Sequence, residues 1–259
     1  MVGFEPRLAL ASLSGEADAA WARAGSEYAG AAFLGGIALD EASRAAARKL
    51  VARDRNEFLP DDPLAFVDDQ LSTLAESSLT VGFNVRSATV GPVADAAAVC
   101  AAHDAILEIN AHCRQEELCA VGCGESLLGD TDRLREYVAA AADAGATVSV
   151  KVRADVDGVD LVATAETVEA AGAALIHVDA MDSEHVVGDV ADATDLFVIA
   201  NNGVRDAESV REYLDYGADA VSVGRPSGDP VVLRRVRAAV DDWFGADGAA
   251  STQEREASP

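Results

Sequence analysis

The feature that most constrains the fold of this chain is a regular alternation of short apolar runs with helical patterns along the whole sequence. Unbroken apolar runs are typical of parallel strands that are covered on both faces. Eight such strands, each followed by a helix, predict a single α/β domain, the (β/α)₈ TIM barrel. The predicted strands are 8–13, 28–34, 79–85, 105–110, 148–152, 174–178, 196–200 and 220–223.

Helical segments fill the spaces between these runs, and the barrel domain is predicted to span residues 1–245. Asp40 is expected to cap one helix, and Gly145 to follow the end of another. A doubly wound sheet is the alternative fold, but it often has a glycine-rich first turn, which the segment 12–15 does not match. The small, polar segment 246–259 is predicted to be disordered. The predicted helices are 18–24, 40–53, 64–76, 93–103, 131–144, 161–171, 184–193, 207–216 and 230–244.

The charge of the chain is strongly acidic, with 45 Asp and Glu against 20 Lys and Arg and a net charge of −25. This excludes a generally basic nucleic-acid-binding surface, although an acidic partner can still bind at a local arginine patch. Lysine occurs only at Lys49 and Lys151. An acidic, lysine-poor surface on a chain that is 50% hydrophobic suggests a halophilic protein, because salt screens self-repulsion.

The cellular location is expected to be the cytoplasm. The sequence contains no apolar run long enough to span a membrane and no pattern of a signal peptide at its start. Its four cysteines fit reduced thiols better than a disulfide framework at this chain length. Cys113, Cys119 and Cys123 have a spacing that matches no common zinc or iron–sulfur pattern, so no metal is expected. Cys100 lies in an apolar helical pattern and is predicted to be in the core.

Polar residues gather where the predicted strands end. In a barrel of this type the chemistry lies at the carboxyl ends of the strands, so these side chains are expected to share one face. The candidates are Asn84, Asn110, His112, Cys113, Lys151, His177, Asp179, Asn201, Asn202, Gly203, Gly224 and Arg225.

Lys151 is the most informative of these residues, because it stands inside an apolar strand in a chain that otherwise avoids lysine. A buried ammonium is costly unless it is paired or functional. It can extend to solvent or pair with Asp179. As a functional group it can form a Schiff base, bind a phosphate or lie beside an anionic cofactor.

Two glycine-containing strand ends predict a phosphate site. Gly203 and Gly224 follow the seventh and eighth strands, where this fold commonly binds phosphate, and Arg225 adds a positive charge. Ordinary turn glycines are the simpler interpretation of each glycine alone. Cys113, beside His112 at the end of the fourth strand, is a candidate proton donor.

Together these strand ends resemble the dihydrouridine synthase family of FMN-binding barrels and, more distantly, dihydroorotate dehydrogenases. Residues 109–113, Ile-Asn-Ala-His-Cys, resemble the family motif I-N-x-G-C-P, and residues 151–153, Lys-Val-Arg, resemble K-x-R. Residues 217–225 resemble G-A-D-G-V-M-I-G-R. Weaker matches occur at 10–15, Asn84, 121–128, 176–179 and 199–204. The chain departs from the family at His112, Arg114 and Asp179, where glycine, proline and arginine are usual.

The resemblance implies roles for individual residues. Cys113 would protonate the substrate, Asn110 would hold the reacting base, and Lys151 would meet the flavin ring. His177 would contact flavin or substrate. The FMN-binding residues implied by the resemblance are Ser12, Asn84, Lys151, His177, Asn201, Gly203, Gly224 and Arg225.

The implied function is an FMN-dependent oxidoreductase that reduces a C=C bond of a uracil-type pyrimidine, with NADPH or NADH as electron donor. The chain resembles a shortened, archaeal-type relative. Its net charge of −25 and the absence of the family's helical C-terminal domain argue against tRNA, leaving a small pyrimidine as the other substrate. The alternatives are a phosphate-binding aldolase or isomerase that uses Lys151, and a non-catalytic flavin- or nucleotide-binding protein.

Overall fold

The computed structural model describes residues 3–256, which form eight strands and eleven α-helices. The strands are β1 Leu8–Leu10, β2 Ala31–Ala38, β3 Thr80–Arg86, β4 Ile106–Asn110, β5 Thr147–Arg153, β6 Ala173–Asp179, β7 Phe197–Asn201 and β8 Ala220–Val223. The helices are α1 Ala19–Gly25, α2 Glu41–Val51, α3 Pro63–Thr73, α4 Gly91–Ala102, α5 Glu116–Cys119, α6 Glu125–Leu128, α7 Thr131–Asp143, α8 Leu161–Ala170, α9 Val186–Ala193, α10 Ala207–Asp215 and α11 Pro230–Glu256, with a short 3₁₀ helix at Arg225–Gly228.

The eight strands close into a barrel in sequence order. Every neighbouring pair is parallel, and β1 completes the circle by pairing with β8 along Leu8↔Val221 and Leu10↔Val223. The predicted (β/α)₈ TIM barrel is confirmed, and the doubly wound alternative is excluded because a doubly wound sheet has two free edges.

The inside of the barrel is apolar at one end and polar at the other. Strand side chains alternate between the outer face, packed on the helices, and the inner face. Near the strand starts the inner face forms a separate apolar cluster of Phe4, Ala9, Ala31, Phe33, Ile106, Leu175, Ile199 and Ala220. Two residues further along β4, β6 and β8, the inward positions are Glu108, His177 and Ser222, all fully buried. The barrel is therefore closed at its amino end, and polar groups gather toward the carboxyl ends of the strands.

The apolar end of the barrel depends on the absence of a side chain at Gly82 of β3. A Cβ at this position would lie 2.5 Å from Cδ1 of the fully buried Phe33 ring. We expect Gly82→Ala to lower the free energy of unfolding by about 1–3 kcal/mol, because overpacking forces neighbours off their rotamers. Gly91→Ala is the control, since nothing lies within 4 Å of its Cβ position. Thermal denaturation measures both, and equal melting temperatures would contradict the expectation.

Several element boundaries differ from the sequence prediction. β2 was expected to end at Gly35–Gly36, but it continues to Ala38 after a shift of register between Gly35 and Ile37. A Cβ on Gly35 would lie 2.4 Å from the Asn84 carbonyl oxygen, so this glycine permits a close approach to β3. The segment 111–129 lies outside all the predicted elements, yet it contains α5 and α6, each too short to produce a pattern in the sequence.

The last helix is also longer than predicted. α11 extends from Pro230 to Glu256 and so covers most of the segment 246–259 that was predicted to be disordered, while residues 257–259 lie outside the described residues. Alanine, glutamine and glutamate in this segment favour helix. The expected cap at Asp40 is confirmed, since its side chain accepts from the Ser43 backbone N–H at 2.8 Å. No helix in the described residues is both long and apolar enough to cross a membrane.

Candidate functional site

A cavity of about 950 Å³ opens at the carboxyl ends of the strands. It is formed by segments that follow β1, β4, β5, β6, β7 and β8, together with the loop after α2. The ten residues to which the resemblance assigns a role in catalysis or FMN binding fall into two groups. Eight of them line this cavity: Ser12, Asn110, Cys113, Lys151, Asn201, Gly203, Gly224 and Arg225.

The other two predicted site residues, Asn84 and His177, do not line the cavity. Both are fully buried, and their hydrogen bonds are made to other protein side chains. They are therefore able to influence a ligand through their neighbours rather than by direct contact.

Asn110 holds the segment that carries Cys113. Its Oδ1 accepts hydrogen bonds from the Cys113 backbone N–H at 3.2 Å and from His112 Nδ1 at 3.2 Å. Its Nδ2 donates to Asn84 Oδ1 at 2.9 Å, and Asn84 Nδ2 in turn donates to Glu108 Oε1 at 2.7 Å. The position of Cys113 is thus tied to the buried polar groups of β3 and β4.

The same hydrogen-bonded chain continues across the barrel interior to β7 and β8. His177 Nδ1 donates to Glu108 Oε2 at 2.8 Å, and His177 Nε2 lies 2.7 Å from the Ser222 hydroxyl, which donates to it. Asn201 Nδ2 donates to Ser222 Oγ at 2.7 Å. Side chains of β3, β4, β6, β7 and β8 are therefore joined at the base of the cavity.

The charges of the buried groups follow from this arrangement. Burial alone would raise the pKa of Glu108, but the hydrogen bonds from His177 and Asn84 and the charge of Lys151 outweigh it, and the pKa is lowered. Burial lowers the pKa of His177, with a further contribution from the Lys151 charge. At neutral pH Glu108 is therefore a carboxylate and His177 a neutral imidazole, consistent with its donating and accepting nitrogens.

Lys151 is 2% exposed and lines the cavity from β5. Burial lowers the pKa of its ammonium, while the charges of Glu108 and Asp179 raise it. Its register partners on the neighbouring strands are Asn110 and His177. A partly desolvated cation at this position attracts an anionic group more strongly than an exposed one.

His112, one of the positions at which the sequence departs from the motif it resembles, is half-buried at the cavity wall. Desolvation lowers its pKa well below 6.5, and the positive charge of Lys151 contributes in the same direction. The ring is neutral at neutral pH, with Nδ1 engaged by Asn110.

The cavity concentrates positive charge in a chain that is otherwise acidic. Its lining includes six Lys or Arg residues and three Asp or Glu residues, although the chain as a whole carries a net charge of −25. Such a local excess favours an anionic ligand. The cations are Arg55, Arg114, Lys151, Arg153, Arg205 and Arg225, and the anions are Glu16, Asp54 and Asp179.

A buried ion pair supports one wall of the cavity. Arg86, the last residue of β3, binds Glu57 with Nη2 2.6 Å from Oε2, and their side chains are 1% and 2% exposed. Arg86 also donates to Ser14 Oγ at 3.0 Å and to the Gly36 carbonyl. The pair joins the end of β3 to the loop after α2, which carries Glu57, and Arg86 also reaches the segment after β1, which carries Ser14. Ser14 and Asn56, from these two segments, line the cavity wall.

The four cysteines lie in different environments. Cys113 lines the cavity, whereas Cys123 is buried, which raises the pKa of its thiol to about 12. Cys100 is buried in the core as predicted. Cys119 donates its S–H to the Cys113 carbonyl at 3.4 Å. Among residues 3–256, no three His, Cys, Asp or Glu side chains are grouped to hold a metal ion.

Glu108, Ser222 and Arg86 had no role predicted from the sequence. A usable signal was the alternation along each strand, because Glu108 and Ser222 each lie two residues before a predicted site residue and so face the same way. The cavity lining from 54–56 and from Arg205 lies in loops, where no such periodicity operates.

Comparison with known proteins identifies related sequences. A family model described as dihydrouridine synthase matches residues 66–250. An uncharacterized protein from Methanocaldococcus jannaschii is 27% identical over 233 residues, covering 85% of this chain and 89% of the relative. A probable tRNA-dihydrouridine synthase from Rhodobacter capsulatus is 30% identical over 217 residues, covering 74% of this chain and 67% of the relative.

Solved structures share the architecture at low sequence identity. A FabK mutant from Thermotoga maritima superposes with a TM-score of 0.57 at 17% identity, covering 86% of this chain and 63% of that one. A tryptophan synthase complex from Pyrococcus furiosus gives a TM-score of 0.59 at 14% identity, covering 94% and 100% of the two chains. At these identities the likeness concerns the fold alone.

Proposed function

This chain belongs to the dihydrouridine synthase family, and we propose that it is an FMN-dependent oxidoreductase that reduces a C=C bond of a uracil-type pyrimidine. The observation that carries the proposal is that Cys113, Asn110 and Lys151 share one cavity with Gly203, Gly224 and Arg225. The first three supply groups for proton transfer and for binding a ring with partial negative charge. The last three supply a place for a phosphate.

The cavity fits FMN in size and in chemistry. Ligand cavities commonly measure about 300–1,000 Å³, and this one falls within that range. A Cβ on Gly203 or Gly224 would meet nothing within 4 Å, so the backbone there faces open space that a phosphate can approach. Arg225 would neutralise the phosphate, and Lys151 would lie by the isoalloxazine ring.

Reduced FMN, recharged by NADPH or NADH, supplies a hydride to one carbon of the C=C bond when it is bound. The chain's own residues perform the remaining work. Cys113 gives a proton to the neighbouring carbon as a general acid, so that a hydride and a proton are added across the bond. Asn110 keeps the Cys113 backbone in place through its 3.2 Å hydrogen bond. The Lys151 ammonium stabilises negative charge on the ring system.

The pyrimidine is presented either as a small molecule or within RNA. The name of the Rhodobacter capsulatus relative brings tRNA into consideration. The arginines around the cavity would bind a phosphate of either substrate, whereas the acidic charge of the rest of the chain opposes a long RNA. If RNA is bound, the target base has to leave its stack to reach Cys113. Product formation from uridine monophosphate and from tRNA, measured side by side, distinguishes the two.

The proposal is tested first by flavin binding, with the two lysines of the chain as a matched pair. We expect the purified protein to carry FMN or to take it up with a dissociation constant in the micromolar range or below. Lys151→Met is expected to weaken FMN binding by about 10- to 100-fold through loss of one buried charge contact, worth roughly 1.5–3 kcal/mol. Lys49→Met, at an exposed site of α2, should leave binding unchanged. Absorbance and fluorescence titrations measure both variants.

A protein that neither contains flavin nor binds added FMN would overturn the proposal. The competing aldolase or isomerase function uses Lys151 as a Schiff base, which a partly desolvated lysine favours. Borohydride trapping with carbonyl substrates would then give a covalent adduct on Lys151, whereas the oxidoreductase gives none.

A further inference from the structure

Glu108 is a buried acid for which the mechanism above has no use. It lies at the inward-facing centre of β4 and is fully buried. Both of its carboxylate oxygens are occupied, Oε1 by Asn84 Nδ2 at 2.7 Å and Oε2 by His177 Nδ1 at 2.8 Å. Two N–H donors stabilise the ionised form of a carboxyl group, so Glu108 carries a fixed negative charge inside the barrel.

A fixed buried anion needs a cation nearby, since an uncompensated charge in the protein interior is costly. Arg86 is already paired with Glu57. Lys151 is a buried basic residue on β5, the strand next to β4. Its register partners are Asn110 on β4 and His177 on β6. His177 is hydrogen-bonded to Glu108 directly, and Asn110 is linked to Glu108 through Asn84.

We propose that Glu108 is a positioning residue that acts through Lys151, and that its fixed negative charge keeps the Lys151 side chain an ammonium inside the barrel. This deepens the proposed function and rests on it only for the consequence on FMN binding. An ammonium retained to alkaline pH attracts an anionic cofactor, whereas a neutral amine does not.

Charges of both signs surround Lys151. Of the two acids that attract its ammonium, Glu108 is the one that is fully buried and has both carboxylate oxygens hydrogen-bonded. Asp179 on β6 is the second acid that attracts the ammonium, but it is 9% exposed at the cavity and one of its oxygens is bound by Asn202 Nδ2 at 2.7 Å. Arg153 adds a positive charge to the lining of the same cavity, while burial lowers the pKa of His112 and of His177. Burial opposes the charged form throughout, because it lowers the pKa of Lys151.

The test is direct, because the chain contains only two lysines, Lys49 and Lys151. Protein labelled with ¹³C-lysine gives one side-chain signal from each, and each signal titrates with its own amine. Glu108→Gln preserves an acceptor for Asn84 and a hydrogen-bonding partner for His177 while removing the charge. We expect the Lys151 midpoint to fall by about one pH unit or more in this variant. The Lys49 midpoint should not move.

Glu41→Gln serves as the control, since Glu41 pairs with Arg48 on the surface and should leave both lysine signals unchanged. A Lys151 midpoint that is the same in folded Glu108→Gln and in the wild type overturns the proposal. If Glu108→Gln does not fold, the wild type and Asp179→Asn decide together. A wild-type Lys151 midpoint below about pH 8 overturns the proposal, and so does a midpoint in Asp179→Asn that falls below that value; a midpoint that stays above it in both supports the proposal, because Glu108 is then the acid that remains.

The titration needs no cofactor, so its result is independent of whether the protein binds FMN. In a second measurement, FMN affinity is followed from pH 7 to 9. We expect it to fall more steeply with pH in Glu108→Gln than in the wild type. A shifted Lys151 midpoint without any FMN binding would sustain the role of Glu108 and overturn the proposed function instead.

Discussion

Replacement of Cys113 by alanine is expected to lower the rate of pyrimidine reduction by about 10²- to 10⁴-fold, which is the usual contribution of a general acid. FMN affinity should be unchanged, because the phosphate and ring contacts are assigned to other residues. The Asn110 contact to residue 113 involves the backbone N–H, which alanine retains. The loss should therefore appear in the chemical step, measured as single-turnover oxidation of the reduced flavin by the pyrimidine.

The matched control for this variant is Cys119→Ser. Cys119 donates to the Cys113 carbonyl and does not line the cavity, and serine retains a donor at that position. We expect its rate to stay within a few-fold of the wild type. Equal losses in the two variants would mean that the segment, rather than the thiol of Cys113, limits the reaction.

Arg86→Met should lower the free energy of unfolding by about 3–5 kcal/mol, because it leaves the Glu57 carboxylate buried without its partner. For a chain of this length that corresponds to a fall in melting temperature of roughly 10 °C. The pair is suited to such a test, since its side chains are only 1% and 2% exposed. Arg48→Met breaks a surface pair whose side chains are 48% and 81% exposed and should change stability by less than about 1 kcal/mol.

A double variant separates the loss of the pair from the burial of a lone charge. Arg86→Met combined with Glu57→Leu removes both charges, and we expect it to recover much of the stability lost in Arg86→Met, as apolar replacements of buried pairs often do. Differential scanning calorimetry measures all three variants. A double variant no more stable than Arg86→Met alone would show that the hydrogen bonds to Ser14 and Gly36, rather than the uncompensated Glu57, account for the loss.

The barrel itself was predictable because its signal is local and repeated. Each strand is an unbroken apolar run followed by a helical pattern, and eight repeats define the architecture without any knowledge of contacts. The convergence of Cys113, Lys151 and Arg225 on one cavity followed from the same rule, since the carboxyl ends of parallel strands meet at one face.

The inner hydrogen-bonded chain was not predictable in the same way. Glu108 contacts His177, and His177 contacts Ser222, so these links join strands that are not neighbours in the sheet. They exist only once the barrel closes. Asn84 and His177 were expected to contact a ligand, because a sequence locates a strand end only to within a residue or two. In the structure both are fully buried and neither lines the cavity.

The apolar cluster around Phe33 and Leu175 fills the barrel interior near the amino ends of the strands, so the barrel is not an open channel. In the part of the chain that the structure describes, Lys151 and Cys113 are therefore approached from the carboxyl ends of the strands. Under the proposed function, the electron donor and the pyrimidine would both enter at the carboxyl ends of the strands, where Lys151 and Cys113 lie. Sharing one opening would favour their binding one after the other rather than together.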